Sequence, residues 1–324
     1  MGFLRRIGID GYMTLLLAVV AAGAVVPASG AVAVALGQVT FWAVALLFFL
    51  YGAKLDLASI RAGFLNLRLQ GLCFATTWGL FPLVGLVVAA LARPVIGPDL
   101  ALGLMFLAVL PSTVQSSIAF TAMAGGNVPA AICAASVSNL AAVVLTPALM
   151  ALILHQSGGI SGDAVVKIAV QILIPFVLGQ ILRPLIGATL ARHKPLTMVV
   201  DRGSILLIVY AAFSAGTVAG IWTAIPPLRL VTLALVVAAF MGLVMGLMRL
   251  AGRRLGLGRA DAAALFFCGS TKSLASGLPI ATAIFRPEDV GAVVLPLMLF
   301  HLGQLLVCAL IAQRSAPARV PRPA

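Results

Sequence analysis

Charge is what this sequence has least of. Asp, Glu, Lys and Arg make up 9% of its 324 residues, against about 25% in a soluble globular chain. The two soluble domains that such a length would ordinarily suggest are therefore excluded. Acidic residues are scarcest, with seven Asp and one Glu, Glu288. There are three histidines, His155, His193 and His301, and four cysteines, Cys73, Cys133, Cys268 and Cys308. The cysteines lie inside apolar runs with neither zinc spacing nor a CxxC pair. They read as small packing residues, and a disulfide scaffold is excluded. An intramembrane enzyme would need an acidic pair, a histidine metal cluster or an activated nucleophile. None is present, so no catalytic residue, metal or cofactor is expected.

What is abundant is hydrocarbon: 62% of the chain is apolar. Apolar runs bounded by charge, Gly or Pro give ten predicted spans, at 11–27, 32–52, 69–91, 100–124, 128–154, 164–182, 203–222, 228–248, 260–285 and 290–312. Ten spans of roughly 20 residues take up about two thirds of such a chain, leaving only short loops. The expectation is an all-α polytopic membrane protein, residues 1–324 forming one unit whose surroundings are the bilayer. Arg5 and Arg6 ahead of Tyr12–Val26, followed by Ala28-Ser29-Gly30-Ala31, imitate a cleavable signal peptide, but a retained first span is favoured. The reason is the charge count. The net charge is +13, which in a soluble chain would point to nucleic acid. With ten spans, sixteen of the 21 Lys and Arg residues fall on the side of the N-terminus. Four (Arg93, Lys167, Arg229, Arg286) fall on the other, and Lys272 lies within a span. This bias makes nucleic acid unnecessary and predicts an inner-membrane protein with both termini cytoplasmic.

Ten spans divide into two sets of five, roughly 11–155 and 164–312, and an odd unit inverts on repetition, as in many secondary transporters. The fourth span of each half carries a polar cluster near its middle. One is Pro111-Ser112-Thr113-Val114-Gln115-Ser116-Ser117; the other is Gly269-Ser270-Thr271-Lys272-Ser273. Ser112 and Lys272 are each the thirteenth residue of their span. Pro111, Gly269, Gly277 and Pro279 weaken the helices there, and hydroxyls offer the backbone alternative hydrogen bonds. Both spans are therefore expected to be broken at mid-membrane. Facing breaks would present partial charges to a polar or anionic solute. The alternative is that the hydroxyls back-bond within intact helices.

Lys272 is the most informative residue. About twelve residues flank it on each side, roughly 18 Å of helix, and a stem of about 6 Å does not snorkel that far. A charge at the bilayer centre costs at least ~2.5–3.5 kcal/mol, and no acidic residue lies at mid-span to pair with it. Three states stay open: neutral, charged and held by carbonyls and hydroxyls such as Ser112, Thr113 and Ser117, or paired with an anionic substrate. Ser136, Ser138 and Asn139 in span 5 could line the same cavity or bond helix to helix, Ser136 and Asn139 sharing a face. His301 and Gln304 repeat that spacing in span 10, with His301 a proton relay or a packing histidine. Gln70, Thr76 and Thr77 are candidate lining. Lys54 and Asp56 read as a solvated pair at the end of span 2. Gly216, Gly220, Gly242 and Gly246 read as close helix packing, with no dimer implied by Gly242-x-x-x-Gly246.

At these residues the chain resembles the bile acid:sodium symporter superfamily. Gly125-Gly126-Asn127 and Leu145-Thr146-Pro147 look like its fourth-to-fifth-span region, and Tyr51-Gly52-Ala53-Lys54-Leu55 fits the end of its second span. Phe267-Cys268-Gly269-Ser270-Thr271-Lys272-Ser273-Leu274 with Gly277-Leu278-Pro279 looks like the symporter-like branch, with bacterial members and a human orphan member. The likeness covers roughly residues 10–312. It implies a panel domain of spans 11–52 and 164–222. It also implies a core domain of spans 69–154 and 228–312, in which broken spans 4 and 9 cross. It further implies sodium ligands: a Glu in span 9, a Ser-Asn pair in span 4, and Ser and Thr in span 5. Here those positions hold Phe267, Ser117-Ile118 (or Ser116-Ser117 with a gap), Ala131 and Ala135, which counts against sodium coupling. The expectation is that the Lys272 ammonium takes the place of a sodium ion or carries the coupled proton.

The function expected is secondary transport of a small organic solute by alternating access, the solute being anionic if Lys272 pairs with it. Proton or sodium is the coupled ion. Ser270, Thr271, Lys272, Ser273, Ser112, Thr113, Gln115, Ser116, Ser117, Ser136, Asn139 and His301 are the candidate binding residues. Two alternatives remain: another ten-span metabolite or drug exporter, and a non-transporting regulator that keeps the carrier fold. A cation/proton antiporter is disfavoured for want of a mid-membrane Asp.

Overall fold

A computed structural model describes residues 11–54, 66–155, 169–220 and 225–315. These residues form helices and connections, with no strand among them. In chain order the helices are α1 (Gly11–Val25), α2 (Gly30–Lys54), α3 (Leu67–Ile96), α4 (Pro98–Ala108), α5 (Gln115–Met123) and α6 (Val128–His155). There follow α7 (Val170–Arg192), α8 (Lys194–Val218), α9 (Pro227–Arg254), α10 (Arg259–Ser270), α11 (Leu274–Ile284) and α12 (Pro287–Ser315). Seven of them (α2, α3, α6, α7, α8, α9 and α12) are long and apolar enough to cross a membrane. Their outward faces carry Leu83, Leu91, Leu185 and Leu228, each at least 65% exposed. In water such a surface would be unstable; in lipid it is the expected one, and a helix satisfies its backbone internally.

Proline and glycine set the helix ends. Pro98, Pro227 and Pro287 each open a helix, where a missing N–H costs nothing. Between α3 and α4 the chain turns on Gly97 at φ 91°, a conformation costly for a side chain. Two π-helical turns, Thr76–Leu80 within α3 and Ala169–Leu173 at the start of α7, each lie just before a proline, Pro82 and Pro175. The ring removes a donor and the turn widens around the gap.

Predicted spans and helices agree in place. The fourth and ninth predicted spans are each broken in two, into α4 with α5 and α10 with α11. The largest departures fall where spans 6 and 7 meet: span 6, expected to end at 182, runs on as α7 to Arg192, and span 7, expected to start at 203, begins as α8 at Lys194 and carries Asp201 and Arg202 inside it. Both charges are matched: Lys54 Nζ lies 2.6 Å from Asp201 Oδ2, and the Arg202 guanidinium lies 4.8 Å from the Tyr12 ring centroid. The partner of Lys54 is thus Asp201, 147 residues away, and Asp56 lies outside the described residues.

Helix α2 packs along α7, and α8 packs against α1 and α2. The α2 and α7 backbones touch: a Cβ added to Gly52 would collide with the Phe176 carbonyl, and one on Gly179 with the Phe49 carbonyl. The remaining helices pack mainly among themselves, with α4 on α3 and α12, α10 on α9, α5 and α6, and α3 on α9. The seam between the two groups is α8 against α11 and α12, with the first turn of α7 touching α6 and α11. Close packing does not use the expected pair on α9. Gly242 and Gly246 are exposed on α9, with nothing within 4 Å of an added Cβ. Gly220, at φ 80°, terminates α8, and Gly216 is buried.

Candidate functional site

The two helix breaks meet in the interior of the second group of helices. Pro111 ends α4, because a proline disfavours helical geometry in the residue before it. The chain from Val109 to Val114 then belongs to no helix until α5 begins. Six successive carbonyls, from Ala108 to Thr113, face the cost of burial without a partner, about 1–3 kcal/mol each. Every one is satisfied. Lys272 Nζ donates to Ala108 O at 2.9 Å and Leu110 O at 2.6 Å. Thr146 Oγ1 donates to Val109 O at 2.7 Å, and the Ser273 N–H to Pro111 O at 2.9 Å. Asn139 Nδ2 donates to Ser112 O at 2.9 Å, and Ser117 Oγ donates to Thr113 O.

Lys272 is 0% exposed. Its third acceptor is the Thr77 carbonyl in α3, at 3.3 Å, and that oxygen is available for a reason. In the π turn the Phe81 N–H reaches back to Thr76 O, and Pro82 has no N–H. Thr77 O thereby loses both its ordinary and its widened helical donor. The Phe81 ring covers the ammonium, its centroid 4.0 Å from Nζ. Three N–H donors thus meet three carbonyls and one aromatic face, with no carboxylate among the contacts. Two of the carbonyls belong to the end of α4, where the helix dipole is negative.

The hydroxyls stitch the breaks to each other. Thr271 Oγ1 donates its proton to Phe267 O at 2.8 Å, so it accepts from Ser112 Oγ and Thr113 Oγ1, both at 3.1 Å. Thr113 Oγ1 in turn accepts from Ser116 Oγ at 2.8 Å and from the Ser117 N–H at 3.1 Å. Ser273 Oγ caps α11 by accepting the Ser276 N–H at 3.2 Å. Ser276 Oγ donates to Asn139 Oδ1 at 2.7 Å.

The helix that follows each break holds it by a matched pair of bonds. In α12, the Gln304 amide accepts the Lys272 N–H and donates to the Lys272 carbonyl, both at 2.8 Å. In α6, Ser138 Oγ accepts the Ser112 N–H at 3.0 Å while Asn139 takes the Ser112 carbonyl. Ser112 and Lys272 are thus held in the same way by α6 and α12.

Of the predicted site residues, Lys272, Thr271, Ser273, Ser112, Thr113, Ser116, Ser117, Asn139 and His301 come together here. Three stand apart. Ser270 back-bonds to Phe266 O at 2.6 Å. Gln115 is exposed at the first position of α5, and Ser136 is half-buried outside the network. Gln70 is buried and donates to Ala130 O at 3.1 Å, which makes it a helix-to-helix bond. Sequence reasoning did not place Gln304, Ser276 or Thr146 in the site; Gln304 shows there as a neighbour of His301, Thr146 as part of Leu145-Thr146-Pro147, and Ser276 only as a polar residue inside an apolar run. A second structural centre lies where α3, α6 and α10 begin. Asp261 accepts from Asn66 Nδ2 at 2.9 Å and Asn127 Nδ2 at 2.7 Å. The same two asparagines cap α3 and α6 through Leu69 N–H and Ala130 N–H, so one carboxylate faces three positive helix ends.

The four cysteines are buried and form no disulfide. Among the described residues no group of His, Cys, Asp or Glu could hold a metal ion.

The profile of the SBF-like CPA transporter family matches residues 10–317. The chain is 48% identical over 312 residues to "Uncharacterized protein PA2026" of Pseudomonas aeruginosa, covering 96% of this chain and 94% of that one. It is 43% identical over 309 residues to "Putative symporter YfeH" of Escherichia coli K12, covering 94% and 92%. It is 27% identical over 276 residues to "Sodium/bile acid cotransporter 7" of Danio rerio, covering 83% and 81%.

Proposed function

The chain belongs to the SBF-like CPA transporter family and is a multi-pass membrane transporter, and from that premise we propose that it is a secondary carrier of an organic anion in which Lys272 replaces a bound cation. The carrying observation is the set of three backbone oxygens around Lys272 Nζ, at 2.6, 2.9 and 3.3 Å. A cage of oxygens at a helix break suits sodium; here a covalently attached ammonium fills it. Transport then has no need of sodium, in agreement with Phe267, Ala131 and Ala135 at expected sodium-ligand positions.

In this reading the chain makes ten spans in two inverted halves, about 11–155 and 164–312, with both termini in the cytoplasm of an inner-membrane protein. Spans 11–52 and 164–222 form a panel, and 69–154 and 228–312 a core that moves against it to expose the crossing alternately. The paired clamping of Ser112 and Lys272 supports the repeat, and the seam of α8 against α11 and α12 supports the division. The solute binds beside the crossing at the positive ends of α5 and α11, whose dipoles favour a carboxylate or sulfonate. Gln115, Ser116, Ser136, Asn139 and His301 are exposed or half-buried, which suits them to line its path.

Uptake into proteoliposomes tests the proposal, with a solute chosen from a thermal-shift screen of organic anions, since a ligand of the folded state raises stability. Sodium and pH are varied independently. Saturable flux without sodium, lost in Lys272→Ala, is the expected result. Steep sodium dependence with activity retained in Lys272→Ala would overturn it.

A further inference from the structure

The Gln304 amide is fully buried and fully used. Turning it over would set N–H against N–H and oxygen against oxygen at Lys272, so its partners fix its orientation. Its Nε2 spends one hydrogen on the Lys272 carbonyl at 2.8 Å; the other points at His301 Nδ1, 2.7 Å away. A side-chain amide N–H only donates, so Nδ1 presents its lone pair and His301 is neutral, with its proton on Nε2. The Lys272 carbonyl lies 3.4 Å from the same Nδ1. The ring is half-buried and so not sealed from its surroundings.

We propose that His301 is the proton-coupling group of this carrier, one proton at Nδ1 releasing the Gln304 clamp on Lys272. The inference rests on the carrier reading above. The step balances: a hydronium ion gives its proton to the Nδ1 lone pair and leaves as water, and imidazole becomes imidazolium. The new N–H faces the Gln304 N–H, two donors where a hydrogen bond had been. The acceptor within its reach is the Lys272 carbonyl, which Gln304 already holds. The imidazolium takes that oxygen and displaces the amide. Because the Lys272 backbone is the joint between α10 and α11, protonation loosens that joint and loss of the proton resets it.

Few charges complicate the titration. Lys272 meets the ring through its backbone carbonyl, while its Nζ turns to the carbonyls of Ala108, Leu110 and Thr77. Of the helices packed on α12, α5 and α11 carry no ionisable side chain, and α4 carries only Asp99, in its first turn. On α8, Lys194 opens the helix, Asp201 and Arg202 are engaged by Lys54 and Tyr12, and Tyr210 donates to Val26 O. On α9, Arg229 sits in the first turn and Arg253 and Arg254 in the last, with Arg249 five residues before the helix end. On α12 itself, Glu288 and Asp289 lie in the first turn and Arg314 in the last, while Cys308 is buried.

Hydrogen–deuterium exchange of the intact protein in nanodiscs reads the clamp directly, on peptides covering 269–277 and corrected for intrinsic rates. Protection of the Lys272 amide should fall at least tenfold on acidification in the wild type and stay constant in His301→Gln. Protection that is independent of pH in the wild type, complete protection included, overturns the inference. An equal pH response in His301→Gln does the same. Nitrogen NMR of histidine-labelled wild type needs no variant: Nδ1 should be unprotonated at neutral pH and protonated in acid, and a proton on Nδ1 at neutral pH sinks the proposal. Neither readout depends on flux, so an absence of transport would count against the carrier reading alone.

Discussion

Replacing Lys272 by methionine removes the ammonium and keeps most of the stem. Three carbonyls, Ala108, Leu110 and Thr77, then lose their donor in a place no water reaches. A hydrogen bond to a charged group contributes about 1.5–3 kcal/mol, so three amount to about 4.5–9 kcal/mol. Against this, the mutation removes a charge whose placement at mid-membrane costs about 2.5–3.5 kcal/mol. The net loss is about 1–6.5 kcal/mol, centred near 4. At about 2 °C per kcal/mol for a large domain, the midpoint of thermal unfolding should fall by about 8 °C. The four buried cysteine thiols supply the assay, since a thiol-reactive fluorogenic dye reports their exposure on unfolding. Lys272→Met equal to the wild type, or more stable, would refute the view that this lysine holds the end of α4 to α3.

Asp261→Ala strips one carboxylate from three helix ends, and should cost about 2 kcal/mol after discounting for partial exposure; faster proteolysis near Asn127 and Gly258 would accompany it, and unchanged stability would contradict it. Gly52→Ala should cost about 1–3 kcal/mol, because the methyl group meets the Phe176 carbonyl, whereas Gly242→Ala should be neutral; thermal unfolding of both variants separates internal packing from an exposed stripe. Thr146→Val keeps the shape and leaves the Val109 carbonyl alone, for a loss of about 1–3 kcal/mol, which a similar unfolding midpoint to wild type would disprove.

Helix positions were legible because a membrane imposes them: a span must be about 20 apolar residues, and Pro98, Pro227, Pro287 and the basic clusters mark where each begins or ends. The breaks were legible from Pro111 and Gly269 with their polar neighbours. Two kinds of information were not. Asp201 and Arg202 read as loop residues, because the partners that let them sit inside α8, Lys54 and Tyr12, are distant in the chain. The cage around Lys272 has no side-chain signature at all. It consists of the backbone oxygens of Ala108, Leu110 and Thr77, and the last is released by a proline five residues on. The hydroxyls of Ser112, Thr113 and Thr271 read as solute ligands, yet their hydrogen bonds go to each other and to the backbone. Gln304 was seen as a neighbour of His301 but not as the residue that fixes its tautomer.

The central claim is that a built-in ammonium does the work of a bound sodium ion. Flux of a screened organic anion into proteoliposomes, with sodium replaced by choline at fixed pH, measures this most directly. The account predicts unchanged flux on replacement and loss of flux in Lys272→Ala. Flux that vanishes without sodium, and that Lys272→Ala retains, would contradict it.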